Sequence, residues 1–146
     1  EPYLIEYNVR MGDPECQTIL PTLTTDLFDI LISCCDGTLN KTKINFSNTK
    51  SICIVLCSKG YPEKFENNIE IKDLGQLKLH KNQNIFHAGT LKKKNEIISN
   101  GGRVLNFVST SEDFLKCREE IICLIKRLNW RNGYFRKDIG YKVIGI

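Results

Sequence analysis

Residues 103–128, RVLNFVSTSEDFLKCREEIICLIKRL, decide the fold, because a strand pattern passes directly into the longest helical pattern of the chain. Residues 103–109 are mainly apolar and predict a strand. Ser109-Thr-Ser-Glu112 then matches a capping box, in which a serine and a glutamate three residues later bond the free amides of a helix start. Apolar residues at helical spacing follow, and they predict a helix over residues 112–128 with one face on a core. That face comprises Phe114, Leu115, Ile121, Ile122, Leu124, Ile125 and Leu128.

The remaining segments indicate an α+β protein. Further strand patterns occupy residues 51–57, 69–72, 84–87, 96–99 and 141–146. Upstream of them, Thr25 and Asp26 can start a helix that Gly37 ends in a left-handed conformation. Short strands in this order favour a small, mostly antiparallel sheet with one or two packed helices.

Composition and cysteine usage exclude several classes of protein. The net charge of +4 is scattered except at residues 92–94, three lysines that we interpret as a solvated loop, so no nucleic-acid surface is expected. No apolar run could span a bilayer, and no signal peptide is visible. The seven cysteines include no Cys-x-x-Cys pair, which argues against zinc and favours free thiols in a reducing cytoplasm. Because the chain opens with Glu1, we expect it to be part of a longer polypeptide.

A polar stretch near the start carries the chemistry. Residues 3–9 alternate in polarity and predict a strand that directs Glu6 and Asn8 to the same side. The Glu6 carboxylate and the Asn8 carbonyl are oxygen donors of the kind that Mg²⁺ accepts beside a polyphosphate. Arg10 continues the register, so its guanidinium can bind a substrate carboxylate or stabilise a migrating phosphoryl group.

The turn that follows extends this candidate site. Gly12-Asp13-Pro14 lets the backbone come close to a ligand, and the carboxylates of Asp13 and Glu15 can hold an amine or a hydroxyl. As a bare pattern, however, Glu-x-Asn-x-Arg is also common on polar strand faces that bind no metal. Spacing alone leaves both interpretations open.

Five blocks of sequence resemble one known family. Residues 6–17, EYNVRMGDPECQ, are similar to the signature of the glycinamide ribonucleotide synthetases, or phosphoribosylamine–glycine ligases, of the ATP-grasp superfamily. Met11 departs from the phenylalanine usual in that family. Four further blocks follow in the family's order: GYP at 60–62, FHAGT at 86–90, GGRVL at 101–105 and RKDIG at 136–140. The resemblance therefore covers nearly the whole chain.

The resemblance implies a reaction of purine biosynthesis and a division of the chain. The family joins 5-phosphoribosylamine to glycine, converts ATP to ADP and phosphate, and forms a glycyl phosphate on the way. Residues 1–37 would be the carboxy-terminal segment of the ATP-grasp catalytic domain, and residues 38–146 the carboxy-terminal domain. The phosphate loop, the adenine-binding residues and at least one acidic metal ligand would lie in upstream domains, so this chain alone is expected to be inactive.

The resemblance also assigns roles to residues. Glu6 and Asn8 become ligands of Mg²⁺ or Mn²⁺, and Arg10 becomes a catalytic and substrate-binding residue. The other expected substrate-binding residues are Gly12, Asp13 and Glu15.

Several residues of the other blocks have structural interpretations that compete with functional ones. We expect His87 to be a hydrogen-bonding group at a strand end, and Arg103, Arg136 and Asp138 to form orienting or interdomain ion pairs. Trp130 and Tyr134 should cover the core. The alternative for the whole chain is a module without catalysis that keeps the fold for ligand sensing or assembly.

Overall fold

The structure is a computed structural model that describes residues 1–145, and it has the predicted α+β class with a mainly antiparallel sheet. The helices are α1 (Glu15–Ile19), α2 (Leu27–Cys35), α3 (Phe114–Leu128) and α4 (Tyr141–Ile144). The strands are β1 (Lys50–Ser58), β2 (Gln83–His87), β3 (Thr90–Lys93), β4 (Glu96–Ser99), β5 (Arg103–Ser111) and β6 (Gly133–Tyr134). Within residues 1–145, no helix has the length and apolar character needed to cross a membrane.

A four-stranded antiparallel sheet in the order β2-β5-β1-β6 forms the centre, and β3 and β4 form a separate hairpin. Successive side chains of a strand point to opposite faces, so each face receives its own set of residues. Ile54 and Phe107 are opposite each other and pack with Ile121 of α3 in the buried core. On the other face, the short helix α1 lies beside Asn106 and Cys53.

The helix α3 begins two residues later than predicted, and its N-cap differs. The strand β5 continues to Ser111, so Ser109 lies within the sheet and the predicted capping box is wrong. The Asp113 carboxylate caps the helix instead, accepting a hydrogen bond of 2.7 Å from the Lys116 amide. The apolar stripe is largely as predicted, although Leu115 is 42% exposed. The buried residues of α3 are Cys117, Ile121, Leu124, Ile125 and Leu128.

The predicted helix near residue 26 is confirmed as α2. Asp26 is its N-cap and accepts a hydrogen bond of 2.8 Å from the Phe28 amide. Gly37 follows the helix with φ of +66°, a left-handed conformation that glycine adopts without a steric penalty. The amide of Thr38 bonds the carbonyl of Ser33 at 2.9 Å, as in a Schellman motif.

Three of the predicted strands do not form. Residues 3–9 form no strand: no described strand pairs with them, so the alternating side chains stay exposed, Ile5 at 94%. Residues 69–72 contribute only a single bridge, between Glu70 and Ile98. Residues 141–144 form the helix α4 in place of a strand, because β6, which was not predicted, occupies the sheet edge and the chain turns at Gly140. Ile146 lies outside the described residues. The strand β3 was also missed.

Candidate functional site

The predicted metal and phosphate ligands lie on an extended, exposed segment. Glu6, Asn8 and Arg10 all precede the first helix and are open to solvent. Among residues 1–145, none of their side chains has a hydrogen-bonding or ion-pair partner. These three groups therefore remain available to a ligand, and the fold of this chain alone does not orient them.

In contrast, Asp13 is held firmly by the sheet. Arg103, the first residue of β5, donates from Nη1 to the Asp13 carbonyl at 2.7 Å, and its Nη2 lies 3.2 Å from Oδ2 of the same residue. The other carboxylate oxygen, Oδ1, accepts from Gln17 Nε2 at 2.9 Å and from Asn106 Nδ2 at 3.3 Å. We call these four residues the Asp13 clasp. It joins the start of the chain to β5, one of the two inner strands of the sheet.

Gly12 and Glu15 lie on either side of the Asp13 clasp. The Glu15 carboxylate rests against Gly12, where a Cβ would lie only 1.4 Å from Oε2. The amide of Cys16 bonds the Gly12 carbonyl at 3.0 Å and closes the turn into α1. Glu15 itself is exposed. The structure therefore brings Gly12, Asp13 and Glu15 together, next to the exposed segment that carries Arg10.

Three of the other sequence blocks meet at the same end of the sheet. Gly89 crosses so close to Gly101 that a Cβ on it would lie 2.9 Å from the Gly101 Cα and 2.6 Å from the Arg103 carbonyl oxygen. The ring of Tyr61 packs directly on Gly102, where a Cβ would lie 2.1 Å from it. These close approaches explain the glycines of the FHAGT and GGRVL blocks and the tyrosine of GYP. They also fix the backbone from which Arg103 projects.

His87 has the structural environment that was expected for it. Its Nδ1 lies 2.8 Å from the Thr90 hydroxyl across the turn between β2 and β3, and the ring is exposed. A hydrogen bond three residues away within one turn is a local contact. The observation favours a turn-stabilising role for His87.

Two cysteines of β1 lie beneath this end of the sheet with raised pKa values. Burial raises the pKa of Cys53 to about 12, the charge of Asp13 adds to the effect, and a hydrogen bond with Thr18 opposes it. Burial also raises the pKa of Cys57, although the positive charge of Arg103 lowers it in part. Both thiols are therefore protonated at neutral pH and are poor nucleophiles.

The fifth block lies elsewhere. Arg136 Nε donates to Asp138 Oδ1 at 3.0 Å in an exposed pair, and this hydrogen bond lowers the pKa of the carboxyl group. Arg118 of α3 fixes the neighbouring backbone by donating to the carbonyls of Lys137 and Ile139. Trp130 packs against the core as predicted, whereas Tyr134 is 48% exposed and is not among the residues packed on it. This block therefore shapes the edge of the sheet beside α3.

The donor set at the start of the chain suits Mg²⁺ only in part. Glu6 and Asn8 offer hard oxygen donors, which is the chemistry that Mg²⁺ prefers. No cluster of three or more His, Cys, Asp or Glu side chains able to hold a metal occurs in the described 145 residues. These two residues fit a metal whose remaining ligands come from phosphate oxygens, water or other parts of a protein.

Sequence reasoning missed two members of the Asp13 clasp. Gln17 was part of the first block but had no assigned role, and Asn106 was not singled out. The signal for Asn106 was present, because it is a lone amide in the apolar run of β5, and it is only 1% exposed. A buried polar side chain needs hydrogen-bonding partners. Its partner, Asp13, lies 93 residues away, a distance that no local pattern could bridge.

Comparisons with known proteins give a consistent result. Residues 51–142 match the family described as phosphoribosylglycinamide synthetase, C domain. A phosphoribosylamine–glycine ligase of Agrobacterium fabrum is 37% identical over 143 residues, which are 98% of this chain and 33% of that protein. A bifunctional purine biosynthetic protein of Dictyostelium discoideum is 39% identical over 142 residues, 97% of this chain and 17% of that protein.

A solved structure is similar over the same length. The crystal structure of a phosphoribosylamine–glycine ligase from Thermotoga maritima matches with a TM-score of 0.69 and 28% identity, covering 96% of this chain and 34% of that one. The chain thus spans about a third or less of the length of these relatives. With the family match over more than half of its residues, the chain belongs to the phosphoribosylglycinamide synthetase family and includes that family's C domain.

Proposed function

We propose that this chain is the carboxy-terminal part of a phosphoribosylamine–glycine ligase of the ATP-grasp type. The observation that carries the proposal is the identity of 34–38% with such ligases over nearly the whole chain. The division at residue 37 belongs to the same proposal: residues 1–37 complete an ATP-grasp catalytic domain, and residues 38–146 form the carboxy-terminal domain. The remaining domains of the ligase are the expected partners, in the cytoplasm and without nucleic acid.

In the proposed reaction, the glycine carboxylate attacks the γ-phosphorus of ATP, so that glycyl phosphate forms and ADP leaves. The amine nitrogen of 5-phosphoribosylamine then attacks the acyl carbon. The C–O bond to the phosphate breaks, phosphate leaves with that oxygen, and the amine loses a proton as the amide forms. A carboxylate is a poor electrophile at neutral pH, so the phosphate supplies the leaving group that amide formation needs.

The exposed segment supplies the charged groups that this chemistry requires. Glu6 and Asn8 would hold Mg²⁺ or Mn²⁺, which neutralises phosphate charge during phosphoryl transfer. Arg10 would donate to the glycine carboxylate or to the phosphoryl oxygens, because its planar guanidinium matches both in geometry. Gly12 allows close approach of the backbone, and Glu15 is open to an amine or a hydroxyl.

The exposed apolar residues of the first third of the chain support a covering domain. Ile5 and Val9 are more than 90% exposed, and Phe28 of α2 is 67% exposed. Exposed apolar side chains that cluster along one segment usually mark an interaction surface. Contact with the rest of a ligase would bury these residues and orient Glu6, Asn8 and Arg10.

The test uses the full-length protein that contains this chain. ADP release is measured with ATP, Mg²⁺, glycine and freshly formed 5-phosphoribosylamine. The measurement is then repeated without glycine and without 5-phosphoribosylamine, the two acceptor substrates. The proposal predicts that amide product and ADP form in equal amounts and that both need glycine. ADP formation that does not depend on glycine, or no reaction at all, would contradict the proposal.

The metal assignment has its own test in the same protein. Glu6→Ala should raise the Mg²⁺ concentration for half-maximal activity by about ten- to hundredfold, as loss of groups that support a metal site commonly does. Glu119→Ala is the matched control, because Glu119 is an exposed acid on α3. An unchanged Mg²⁺ requirement in Glu6→Ala would show that Glu6 is not a ligand.

A further inference from the structure

We propose that Arg103 is a positioning residue that acts through Asp13, and that Asp13 is a structural clasp and not a ligand of substrate. The inference deepens the proposed function and rests on it, since it concerns how the segment with Arg10 is held for the reaction. It also revises the sequence-based expectation that Asp13 binds an amine or a hydroxyl.

Asp13 already has several partners within the protein. The Arg103 guanidinium contacts both the backbone and the side chain of Asp13. Its Nη1 donates to the carbonyl at 2.7 Å, and its Nη2 lies 3.2 Å from Oδ2. Gln17 and Asn106 both donate to Oδ1. A carboxylate has about four lone-pair directions; the two at Oδ1 meet amide donors, and Oδ2 forms an ion pair with Arg103. The Asp13 side chain is 43% exposed, but an incoming substrate amine would have to compete with these three groups for its oxygens.

The clasp leaves two buried amide oxygens without a hydrogen-bonding partner among residues 1–145. Asn106 is 1% exposed, and no group of residues 1–145 donates to its Oδ1 or to Oε1 of Gln17. Turning either amide over would direct a carbonyl oxygen at the Asp13 carboxylate, so the orientation is fixed by Asp13. An apolar residue at position 106 would avoid the cost of an unpaired buried oxygen. The hydrogen bond from Asn106 Nδ2 to the Asp13 carboxylate therefore explains why an amide side chain occupies position 106.

Arg103 projects from a closely packed part of the backbone. Arg103 is the first residue of the inner strand β5, and its carbonyl accepts a hydrogen bond of 2.8 Å from the Gly89 amide at the tight crossing described above. From this fixed point the guanidinium reaches the turn that follows Arg10. Only Met11 and Gly12 separate Arg10 from Asp13 in sequence. A shift of the Asp13 backbone would therefore also displace Arg10, which is only three positions earlier in the chain.

The kinetic test uses Asp13→Asn, Arg103→Lys and the double variant in the full-length protein. Lysine keeps the charge of Arg103 but cannot contact two acceptors with one planar group. Misplacement by about 1 Å can reduce turnover by up to about a hundredfold. We expect each single variant to lower kcat by about tenfold with KM for both acceptors nearly unchanged, and the double variant to be no worse than the poorer single variant.

Direct substrate binding by Asp13 predicts a different pattern. In that case Asp13→Asn would raise KM for one acceptor, Arg103→Lys would leave that KM unchanged, and the two effects would multiply in the double variant. Either of those results would overturn the inference. Arg131→Lys is the control for arginine replacement, because Arg131 is exposed and outside the clasp.

A second measurement does not depend on activity. Hydrogen exchange of the Cys16 amide, which bonds the Gly12 carbonyl, reports closure of the turn. Asp13→Asn and Arg103→Lys should each speed this exchange by about tenfold or more, with no change in the amides of α3. Unchanged exchange in both variants overturns the clasp. If the wild-type protein lacks ligase activity, the proposed function fails while exchange still decides whether the clasp exists.

Discussion

Replacing Gly89 by alanine tests the claim that the crossing of the FHAGT and GGRVL blocks is structural. The new Cβ would lie 2.6 Å from the Arg103 carbonyl oxygen, whereas ordinary van der Waals contact begins near 3.4 Å, so the two segments must separate by about 0.8 Å. That separation breaks the 2.8 Å hydrogen bond from the Gly89 amide to the same oxygen. Overpacking costs about 1–3 kcal/mol and the lost hydrogen bond about 1 kcal/mol. We expect a total loss of about 2–4 kcal/mol.

Gly75→Ala is the matched control for this change. A Cβ at Gly75 meets no atom within 4 Å, and its backbone has no left-handed conformation. Both substitutions reduce the freedom of the unfolded chain alike, so their difference isolates the steric effect. Urea denaturation followed by circular dichroism gives both free energies of unfolding. Equal stability of the two variants would refute the idea that the close crossing holds this end of the sheet.

Two further predictions concern the helix α3. The Glu120 carboxylate accepts hydrogen bonds from Ser109, Asn82 and Gln83. Partial burial raises the pKa of Glu120, but these hydrogen bonds outweigh burial, so the pKa is lower than that of an ordinary glutamate. Glu120→Gln should therefore cost about 1 kcal/mol at pH 7 after allowance for partial exposure, and urea titrations should show this difference vanish as the pH falls through the folded-state pKa. For the N-cap of α3, Asp113→Ala should lower the free energy of unfolding by about 1 kcal/mol in thermal denaturation, while Glu112→Ala should have almost no effect. A larger loss in Glu112→Ala than in Asp113→Ala would instead support the capping box predicted from Ser109 and Glu112.

The parts of the fold that were predicted correctly depend on local signals. β1 and β5 are long and mainly apolar and α3 is long and amphipathic, and their patterns identify both their type and most of their buried residues. Asp26 and Gly37 delimit α2 because capping chemistry acts within a few residues. Such signals require no knowledge of the rest of the chain.

The parts that failed depend on partners distant in sequence. The alternation of residues 3–9 is a strand pattern, but a strand forms only where another strand can pair with it, and none of the described residues does. Residues 141–144 are apolar enough for a strand, yet β6 occupies the sheet edge first. Edge position and pairing are properties of the assembled sheet.

The candidate site shows the same division. The resemblance identified Glu6, Asn8 and Arg10 as ligands, and these assignments stay predictions because the segment is exposed and without contacts. Arg103 was expected to form an ion pair and Asn106 was visible as a lone amide, but their common partner could not be predicted, since Asp13 and Arg103 are 90 residues apart. Only the fold shows that a residue expected to bind substrate already has its partners within the protein.

The most direct test of the proposed ligase reaction follows the oxygen atoms of glycine. The full-length protein is supplied with ATP, Mg²⁺, 5-phosphoribosylamine and glycine labelled with ¹⁸O in both carboxylate oxygens, and the released phosphate is analysed by mass spectrometry. One carboxylate oxygen bridges carbon and phosphorus in a glycyl phosphate and leaves with the phosphate when the amine attacks. The account predicts one ¹⁸O atom per phosphate released and one in the amide product. Phosphate without ¹⁸O would contradict it.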